Sequence, residues 1–334
     1  MTNVQQNPLP EKRRPVWLGR FALTSAVSAT VLWTLGAFGT PRPEFLGALL
    51  CLTLACGVVS SLGGLIRFKS SSLLTVLLGL AGATAAIVFA AAIFSNQEGP
   101  LPIVPGAEKR RSPDRLRVVI FNMLGGYPEL EHQEARFRDT LAAFRALDPD
   151  VLILQEAWQT HAHGNMAQRV AKHLKMDHVY ARANGGARLI GFEEGSAIIS
   201  RYPIVEAKRM VLSPRWPIYE TRIAVSASID LGREKVMVVG THLTCWDDAT
   251  TAAQTENLLA RLPEHDLLLV AGDFNAASES PAVKRMLDAE FIDKLPGGID
   301  HLFMPKVNRT RWLLQEVRRT PHNAVVADFA RRRG

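Results

Sequence analysis

The stretch Val270-Ala271-Gly272-Asp273-Phe274-Asn275 ends a short apolar run that begins at Leu267. An apolar run of this length, stopped by a glycine, is typical of a buried strand. Because residues i and i+2 of a strand face the same side, Asp273 and Asn275 can both reach into one site at the strand's end. A carboxylate can bind a hard metal ion or take a proton, and an amide can donate to a phosphate oxygen. The alternative is an Asp/Asn turn after a buried strand, and these six residues alone leave both open.

Outward from this stretch, short apolar runs alternate with amphipathic helical patterns from residue 116 onward. The predicted strands are 117–121, 151–154, 195–200, 204–212, 222–229, 235–240, 267–270, 299–303 and 324–329. The predicted helices are 134–147, 164–174, 252–261 and 281–287. Mixed strands with helices outside them predict an α/β layered sandwich.

Chemically active side chains recur at the ends of these predicted strands, as they do after Val270. The further ones are Asn122, Glu156, His242, Asp300 and His322. Each alone has an ordinary explanation, such as a cap for Glu156 or a satisfied core histidine for His242. Because strand ends in layered α/β folds commonly converge on one crevice, their repetition favours a shared site.

The first part of the chain has a different composition. Three predominantly apolar stretches, at about 17–38, 45–65 and 73–94, are each long enough to cross a bilayer as a helix. Buried helices of a soluble bundle are the alternative. This division predicts a membrane anchor over 1–95, a proline-rich linker over 96–115 and a separate domain over 116–334.

Basic residues near the ends of the three stretches predict an orientation. Three precede the first stretch, at 12–14, and Arg67 and Lys69 lie between the second and third. Since positive charge marks the cytoplasmic side, the N-terminus is expected in the cytoplasm. The chain is then a multi-pass protein of the inner membrane, with residues 116–334 on the periplasmic side.

Charge and cysteine content limit the possible partners. Residues 1–107 hold seven Lys/Arg and three Asp/Glu, whereas the remainder holds 32 Lys/Arg and 29 Asp/Glu, a balance of only +3. Nucleic-acid binding normally needs a concentrated basic face, which this balance does not favour. Only Cys245 lies beyond residue 107, so that part can form no internal disulfide and offers no cysteine-rich zinc site.

The ordered motifs resemble those of the endonuclease/exonuclease/phosphatase superfamily, the DNase I-like group. The matching pieces are Phe121-Asn122, Leu154-Gln155-Glu156, the stretch 195–204, Thr241-His242-Leu243, Gly272-Asp273-Phe274-Asn275 and Ile299-Asp300. The resemblance covers about residues 116–329. It implies a sandwich of two mixed β-sheets flanked by helices, and similar spans precede this domain in some bacterial members.

The resemblance also implies a metal site. Glu156 resembles the principal Mg²⁺ ligand, assisted by Asn122, and Mg²⁺ or Mn²⁺ suits a site of few carboxylates and several waters. One feature departs from the family, because Pro321 replaces the acid that normally precedes the terminal histidine, His322. That acid often completes metal binding, so a second ligand is missing unless a group such as Asp150 compensates.

For the catalytic groups, the resemblance assigns His322 to activate the attacking water and Asp300 to orient that histidine. Asp273 positions the water, and Asn275 and His242 contact phosphoryl oxygens. Asp300-His301 is an alternative terminal acid–histidine pair.

Two other motifs receive less specific interpretations. Arg222 is a weaker candidate for a phosphate contact. The His-x-His of residues 161–163 can bind metal, but without a third ligand in view a solvated loop is favoured.

The sequence thus predicts a membrane-anchored, Mg²⁺-dependent phosphoesterase. Its substrate would be a phosphodiester, a phosphomonoester or a lipid-linked pyrophosphate, hydrolysed by attack of water. The alternatives are a nuclease acting on DNA or RNA, and a catalytically impaired, membrane-bound binding module, for which Pro321 is the motive. Fold alone does not choose among these substrates.

Overall fold

The computed structural model of the chain describes residues 20–27, 53, 55–59, 77, 79–85, 87–88, 98–107, 113–126, 133–187, 192–215, 220–306, 312–320 and 324–331. The chain divides into two compact units, 1–35 with 44–90 and 36–43 with 91–334. The described residues of the first unit are helical. None of the helices formed by described residues has the length and apolar character needed to cross a membrane. The predicted spans 17–38, 45–65 and 73–94 lie largely outside the described residues.

The second unit contains two mixed β-sheets. The first sheet has the order β1-β7-β8-β9-β10-β12-β11, and its strands are Gly99–Pro100 (β1), Ile204–Val211 (β7), Ile223–Asp230 (β8), Lys235–His242 (β9), Leu268–Asp273 (β10), Phe291–Asp293 (β11) and Asp300–Pro305 (β12). The second sheet has the order β13-β14-β2-β3-β6-β5, with β4 beside β3, and its strands are Arg115–Asn122 (β2), Val151–Thr160 (β3), Gly164–Asn165 (β4), Asp177–Gly185 (β5), Phe192–Ser200 (β6), Trp312–Arg319 (β13) and Val325–Arg331 (β14).

In the part of the second unit that the structure describes, four α-helices cover the outer faces of the sheets. They are Gln133–Leu147 (α1), Met166–Leu174 (α2), Asp248–Leu259 (α3) and Pro281–Asp288 (α4). The first two share a buried cluster with the second sheet, and the last two with the first sheet. A third and larger cluster fills the space between the sheets. The predicted layered sandwich of two mixed sheets flanked by helices is therefore confirmed.

Burial on both faces explains why the central strands are continuous apolar runs. Along β10, Leu269 and Ala271 belong to the core between the sheets, whereas Leu268 and Val270 belong to the outer core under the helices. Such strands show no apolar–polar alternation. Each sheet contains one parallel pair, β2 with β3 and β9 with β10. The carboxyl ends of both pairs carry the polar residues described below.

The strands that the sequence did not predict lie at or next to sheet edges. β1, β5, β11 and β13 are the edge strands involved, and the two-residue β4 pairs only with the end of β3. The sequences of β5 and β13 mix charged and apolar residues because an edge strand is partly solvated. Their pairing depends on neighbours distant in the chain, which a local pattern does not contain.

The predicted linker 96–115 is partly folded onto the second unit. Within it, β1 pairs with β7, and Val104 bridges to His178 of β5. The backbone N–H groups of Gly106 and Ala107 each donate to the Asp177 carboxylate at 2.8 Å. Residues 98–107 therefore lie along the edges of both sheets, and β2 already begins at Arg115.

Candidate active site

Four of the predicted site residues come together where the two parallel strand pairs end. Asn122 is the last residue of β2, and Glu156 lies in the adjacent β3. His242 and Asp273 end β9 and β10 and are partners in register. The pairing of β3 with β6 slips around Glu156, which has a φ of 48°. A bulge of this kind re-aims a side chain, and it brings the Glu156 carboxylate beside Asn122.

The Asn122 amide connects the two sheets. Its Nδ2 donates to Glu156 Oε1 at 2.9 Å and to Asp273 Oδ2 at 3.1 Å. Its Oδ1 accepts from the Leu124 backbone N–H at 2.8 Å, which fixes the orientation of the amide. Asn122, Glu156, His242 and Asp273 are called the strand-end cluster below.

The sequence left a site and an Asp/Asn turn as alternatives for Asp273 and Asn275. In the structure Asp273 belongs to the cluster, and Asn275 belongs to a turn that follows it. The strand ends at Asp273, and Asn275 follows it with a φ of 48°, so the two do not point together as neighbours on one strand. The Asn275 backbone N–H donates to Asp273 Oδ1 at 2.8 Å, and its side-chain Nδ2 donates to the Leu243 carbonyl at 2.9 Å. Asn275 therefore holds the turn, and its predicted contact with a phosphoryl oxygen stays a prediction.

Asp273 is 5% exposed. Burial raises the pKa of its carboxyl to about 6, against hydrogen bonds from Asn275 and Asn122 that lower the pKa. The loss of solvation therefore outweighs these hydrogen bonds and the positive charge of Arg222, which also lowers the pKa.

His242 faces the two carboxylates of the cluster from one side and a buried arginine from the other. Its Nε2 lies 3.9 Å from both Glu156 Oε1 and Asp273 Oδ2. Its Nδ1 lies 3.0 Å from Arg222 Nη1. Burial, and then the charge of Arg222, lower the pKa of the imidazole well below its usual value. The sequence offered Arg222 as a weaker candidate for a phosphate contact. In the structure the Arg222 guanidinium instead contacts His242 and Glu220.

Glu194, in β6, is an acid of the site that the sequence analysis missed. Burial, and then the negative charge of Glu156, raise the pKa of Glu194 to about 7. Asn184 Nδ2 donates to its Oε1 at 3.2 Å. A β-carbon added to Gly125 would lie 3.5 Å from Glu156 Oε2 and 3.9 Å from Glu194 Oε2, so both carboxylates border the same backbone position. The adjacent acids Glu193-Glu194 at the start of an apolar strand were the available signal.

A small cavity lies behind Glu156 and Glu194, with room for about one water molecule. Thr221 and Arg222 are among the residues that line it. Thr221 Oγ1 and Arg222 Nε are buried and have no hydrogen-bond partner among the described residues. A water molecule in the cavity would offer these two atoms a hydrogen-bond partner.

Asp300 lies at the edge of the cluster, opposite Asp273 in register. Its Oδ2 accepts from Arg319 Nη1 at 2.8 Å. The alternative acid–histidine pair is not formed, because His301 is completely buried beside the core. The His301 ring nitrogens lie 2.7 Å from Asp293 Oδ2 and 2.7 Å from the Ala276 carbonyl, so neither is available to a substrate.

Three further sequence predictions concern residues outside the strand-end cluster as defined above. His322 and Pro321 lie outside the described residues, so the predicted general base stays a prediction. Asp150 cannot supply the missing acid, since it precedes β3 at the end opposite to the cluster and accepts from the Arg117 backbone N–H. His163 of the His-x-His motif packs edge-on to the Trp158 ring, as expected for a structural loop residue.

The donor set of the cluster contains groups that suit a hard divalent cation. Glu156 Oε2 has no hydrogen-bond donor among the described residues, and the Asn122 amide oxygen accepts one hydrogen bond, from the Leu124 N–H. One carboxylate with an amide oxygen and several waters is a typical Mg²⁺ environment. Within the described part of the chain, no group of three or more His, Cys, Asp or Glu is arranged to hold a metal. Among the described residues, Glu156 and Asn122 are the candidates for holding a divalent cation.

Comparison with known proteins relates the whole domain to one family. The model of the endonuclease/exonuclease/phosphatase family matches residues 119–326. No curated protein sequence matches the chain.

Several solved structures share the fold. The endonuclease/exonuclease/phosphatase from Beutenbergia cavernae DSM 12333 has a TM-score of 0.53 and 18% identity, over 66% of this chain and 72% of that one. The family protein from Leptotrichia buccalis C-1013-b has a TM-score of 0.52 and 15% identity, over 65% and 99%. The human nocturnin catalytic domain with a bound sulfate anion has a TM-score of 0.51 and 18% identity, over 70% and 97%.

Proposed function

The chain belongs to the endonuclease/exonuclease/phosphatase family, and we propose that the strand-end cluster is its centre for hydrolysing a phosphate ester. The enzymes of this family are metal-dependent phosphoric ester hydrolases, and the chain is one of them. The observation that carries the assignment of the site is the Asn122 amide, which joins Glu156 of one sheet to Asp273 of the other within 3.1 Å.

Glu156 and Asn122 would hold the cation, Mg²⁺ or Mn²⁺. When bound, such a cation offsets the charge on the phosphate oxygens and on the leaving group. The Asp273 carboxylate would orient the attacking water, and His242 would donate to a phosphoryl oxygen. The water oxygen would form a bond to phosphorus as the bond to the leaving oxygen breaks. His322, supported by Asp300, would take the proton of the water.

For the substrate, we favour a lipid-linked phosphate or pyrophosphate. The three apolar stretches of residues 17–38, 45–65 and 73–94 support anchoring in the inner membrane, and the basic residues near them support a periplasmic domain. The small net charge of the chain beyond residue 107 gives no support to a dedicated nucleic-acid enzyme.

A substrate panel tests this function. The full chain, purified in detergent, is assayed with Mg²⁺ against DNA, RNA, lipid phosphates and a polyprenyl pyrophosphate. We expect highest turnover on a lipid-linked substrate, loss of turnover with a chelator, and a decrease of about 10²-fold or more in kcat for Glu156→Gln and Asp273→Asn.

Glu134→Gln is the matched control, because Glu134 forms a surface ion pair with Arg169. It should retain wild-type turnover. Highest turnover on nucleic acid would replace the proposed substrate by a nuclease substrate. Absence of any metal-dependent turnover that both site variants abolish would favour the binding module.

The proposed location has an independent test. Reporter fusions placed after Ala107 should be active in the periplasm. Activity of the same fusions in the cytoplasm would contradict the proposed orientation.

A further inference from the structure

We propose that Arg222 is a positioning residue which fixes the His242 ring with its proton on Nε2, so that His242 acts as a hydrogen-bond donor and not as a base. This inference rests on the proposed function for its catalytic consequence. The tautomer itself follows from geometry and can be measured without a substrate.

The first step is the chemistry of the contact between the two side chains. An arginine guanidinium has five N–H donors, no acceptor, and stays protonated in proteins. Its Nη1 lies 3.0 Å from His242 Nδ1. Because Arg222 can only donate, Nδ1 has to accept, and the single proton of a neutral ring is then on Nε2.

The guanidinium is itself held in place by a buried carboxylate. Arg222 Nη2 lies 2.9 Å from Glu220 Oε1, and the other oxygen of Glu220 accepts from Thr244 Oγ1 at 3.0 Å. Arg222 and Glu220 are 8% and 7% exposed. A buried ion pair with each end hydrogen-bonded restricts the orientation of the guanidinium, so the arginine is positioned to present one N–H to His242.

The opposite side of the ring faces the reaction space. Nε2 is 3.9 Å from a carboxylate oxygen of Glu156 and from one of Asp273. These separations are too long for direct hydrogen bonds. The Nε2 proton is therefore available to a third oxygen between the carboxylates, where a phosphoryl oxygen of the substrate would lie. A ring that already donates there cannot take the proton of the attacking water.

This arrangement also defines what Arg222 does not do. Its Nη1 and Nη2 are engaged by His242 and Glu220, and its Nε is buried beside the small cavity. Arg222 thus acts through His242, and its effect on catalysis should disappear when the imidazole is absent.

The first measurement is the protonation of the ring. In full-length protein with ¹⁵N-labelled histidine, the nitrogen signals of His242, assigned with His242→Ala, should show an unprotonated Nδ1 and a protonated Nε2. In Arg222→Met the ring should lose this single tautomer. A wild-type His242 protonated on Nδ1 would overturn the proposal, whether or not a substrate is known.

The second measurement is a double-mutant cycle on turnover. Arg222→Met and His242→Ala should each lower kcat by about 10²-fold, the usual effect of losing one donor to the transition state, with a smaller change in KM. The double variant should be no slower than His242→Ala. Arg222→Lys, which keeps one charged donor without the fork, should recover part of the loss.

Additive losses in the cycle would show that Arg222 contacts the substrate directly, which contradicts the proposal. Arg117→Met is the control, since Arg117 is paired with Asp328 away from the cluster and its loss should leave kcat within about twofold. If Arg222→Met does not fold, the wild-type spectrum still tests the tautomer of His242, and a cycle with Arg222→Lys still tests the positioning role of Arg222. Absence of turnover in wild type would count against the proposed function and leave the tautomer result standing.

Discussion

At the scale of single residues, the site contains carboxylates that are buried away from water. Burial raises the pKa of Asp273 from 3.8 to about 6. Because the folded state holds the proton more tightly than the unfolded state, this group lowers stability as pH rises through that interval. Above about pH 6 the Asp273 carboxyl is ionised, and its full cost to the stability of the folded state is present.

Replacing Asp273 by asparagine should therefore stabilise the metal-free protein at pH 7. We expect a gain of about 1–2 kcal/mol, less than the shift of the pKa alone implies, because the Asn122 donor loses its acceptor. Below about pH 4 the wild-type penalty is absent and the lost hydrogen bond remains, so the variant should there be about 1–2 kcal/mol less stable than wild type. Urea unfolding from below pH 4 to pH 8 measures both differences.

Asp288→Asn, at an exposed position, is the control and should change stability little. A variant at Asp273 that is less stable than wild type at pH 7 would show that the carboxylate is well compensated in the fold.

Much of the strand-end cluster could be predicted because its residues closely follow apolar runs. Each of its four residues lies within three positions of the end of such a run. Glu194 could not be predicted in the same way, because its approach to Glu156 depends on slips in register on both sides of β6. The Arg222–His242 contact depends on the pairing of β8 with β9, which has no local signature.

At the scale of elements, the cluster requires close pairing of β9 and β10. Gly272 has a φ of 145°, a conformation that other residues rarely adopt. A β-carbon there would lie 2.0 Å from the Thr241 carbonyl oxygen of the paired strand. In the sequence this glycine marks the end of the apolar run, whereas in the structure it lies inside β10 and allows the two strands to bring His242 and Asp273 together.

Gly272→Ala should be strongly destabilising. We expect a loss of about 3–5 kcal/mol, because the clash is with backbone and neither strand can move without displacing the core. Gly164→Ala is the control, since its φ is 70° but nothing lies within 4 Å of the added carbon. The control should cost about 1–2 kcal/mol from backbone strain alone. Equal losses in the two variants, measured by denaturant unfolding, would contradict this account of Gly272.

At the scale of the whole molecule, the catalytic unit includes chain that the sequence predicted as a tether. Proline content indicated an extended tether over 96–115, but the described residues 98–107 pair with strands of both sheets. A high proline content predicts that a segment is stiff, but it does not predict which surface the segment packs against. Asp177, which is 5% exposed at the start of β5, holds the last described residues of this segment, whereas Glu98 and the β1–β7 pairing hold its beginning.

Asp177→Ala should release the segment. The Asp177 carboxylate accepts from the backbone N–H groups of Gly106, Ala107 and Ile204, at 2.8, 2.8 and 3.0 Å. Removing the acceptor leaves these donors unsatisfied, so we expect a loss of about 2–4 kcal/mol and faster hydrogen exchange over residues 98–107. Asp177→Asn retains one acceptor oxygen and should give an intermediate loss.

Asp230→Ala provides the comparison for this release, because Asp230 accepts one backbone N–H, that of Gly232, in an exposed turn. Its loss should be below about 1 kcal/mol, with no change in exchange over residues 98–107. Because the segment joins the edges of two different sheets, its release should also raise exchange in β5 and β7 above that in the central strands. Exchange over 98–107 that is already as fast in wild type as in Asp177→Ala would show that the segment is a free tether after all.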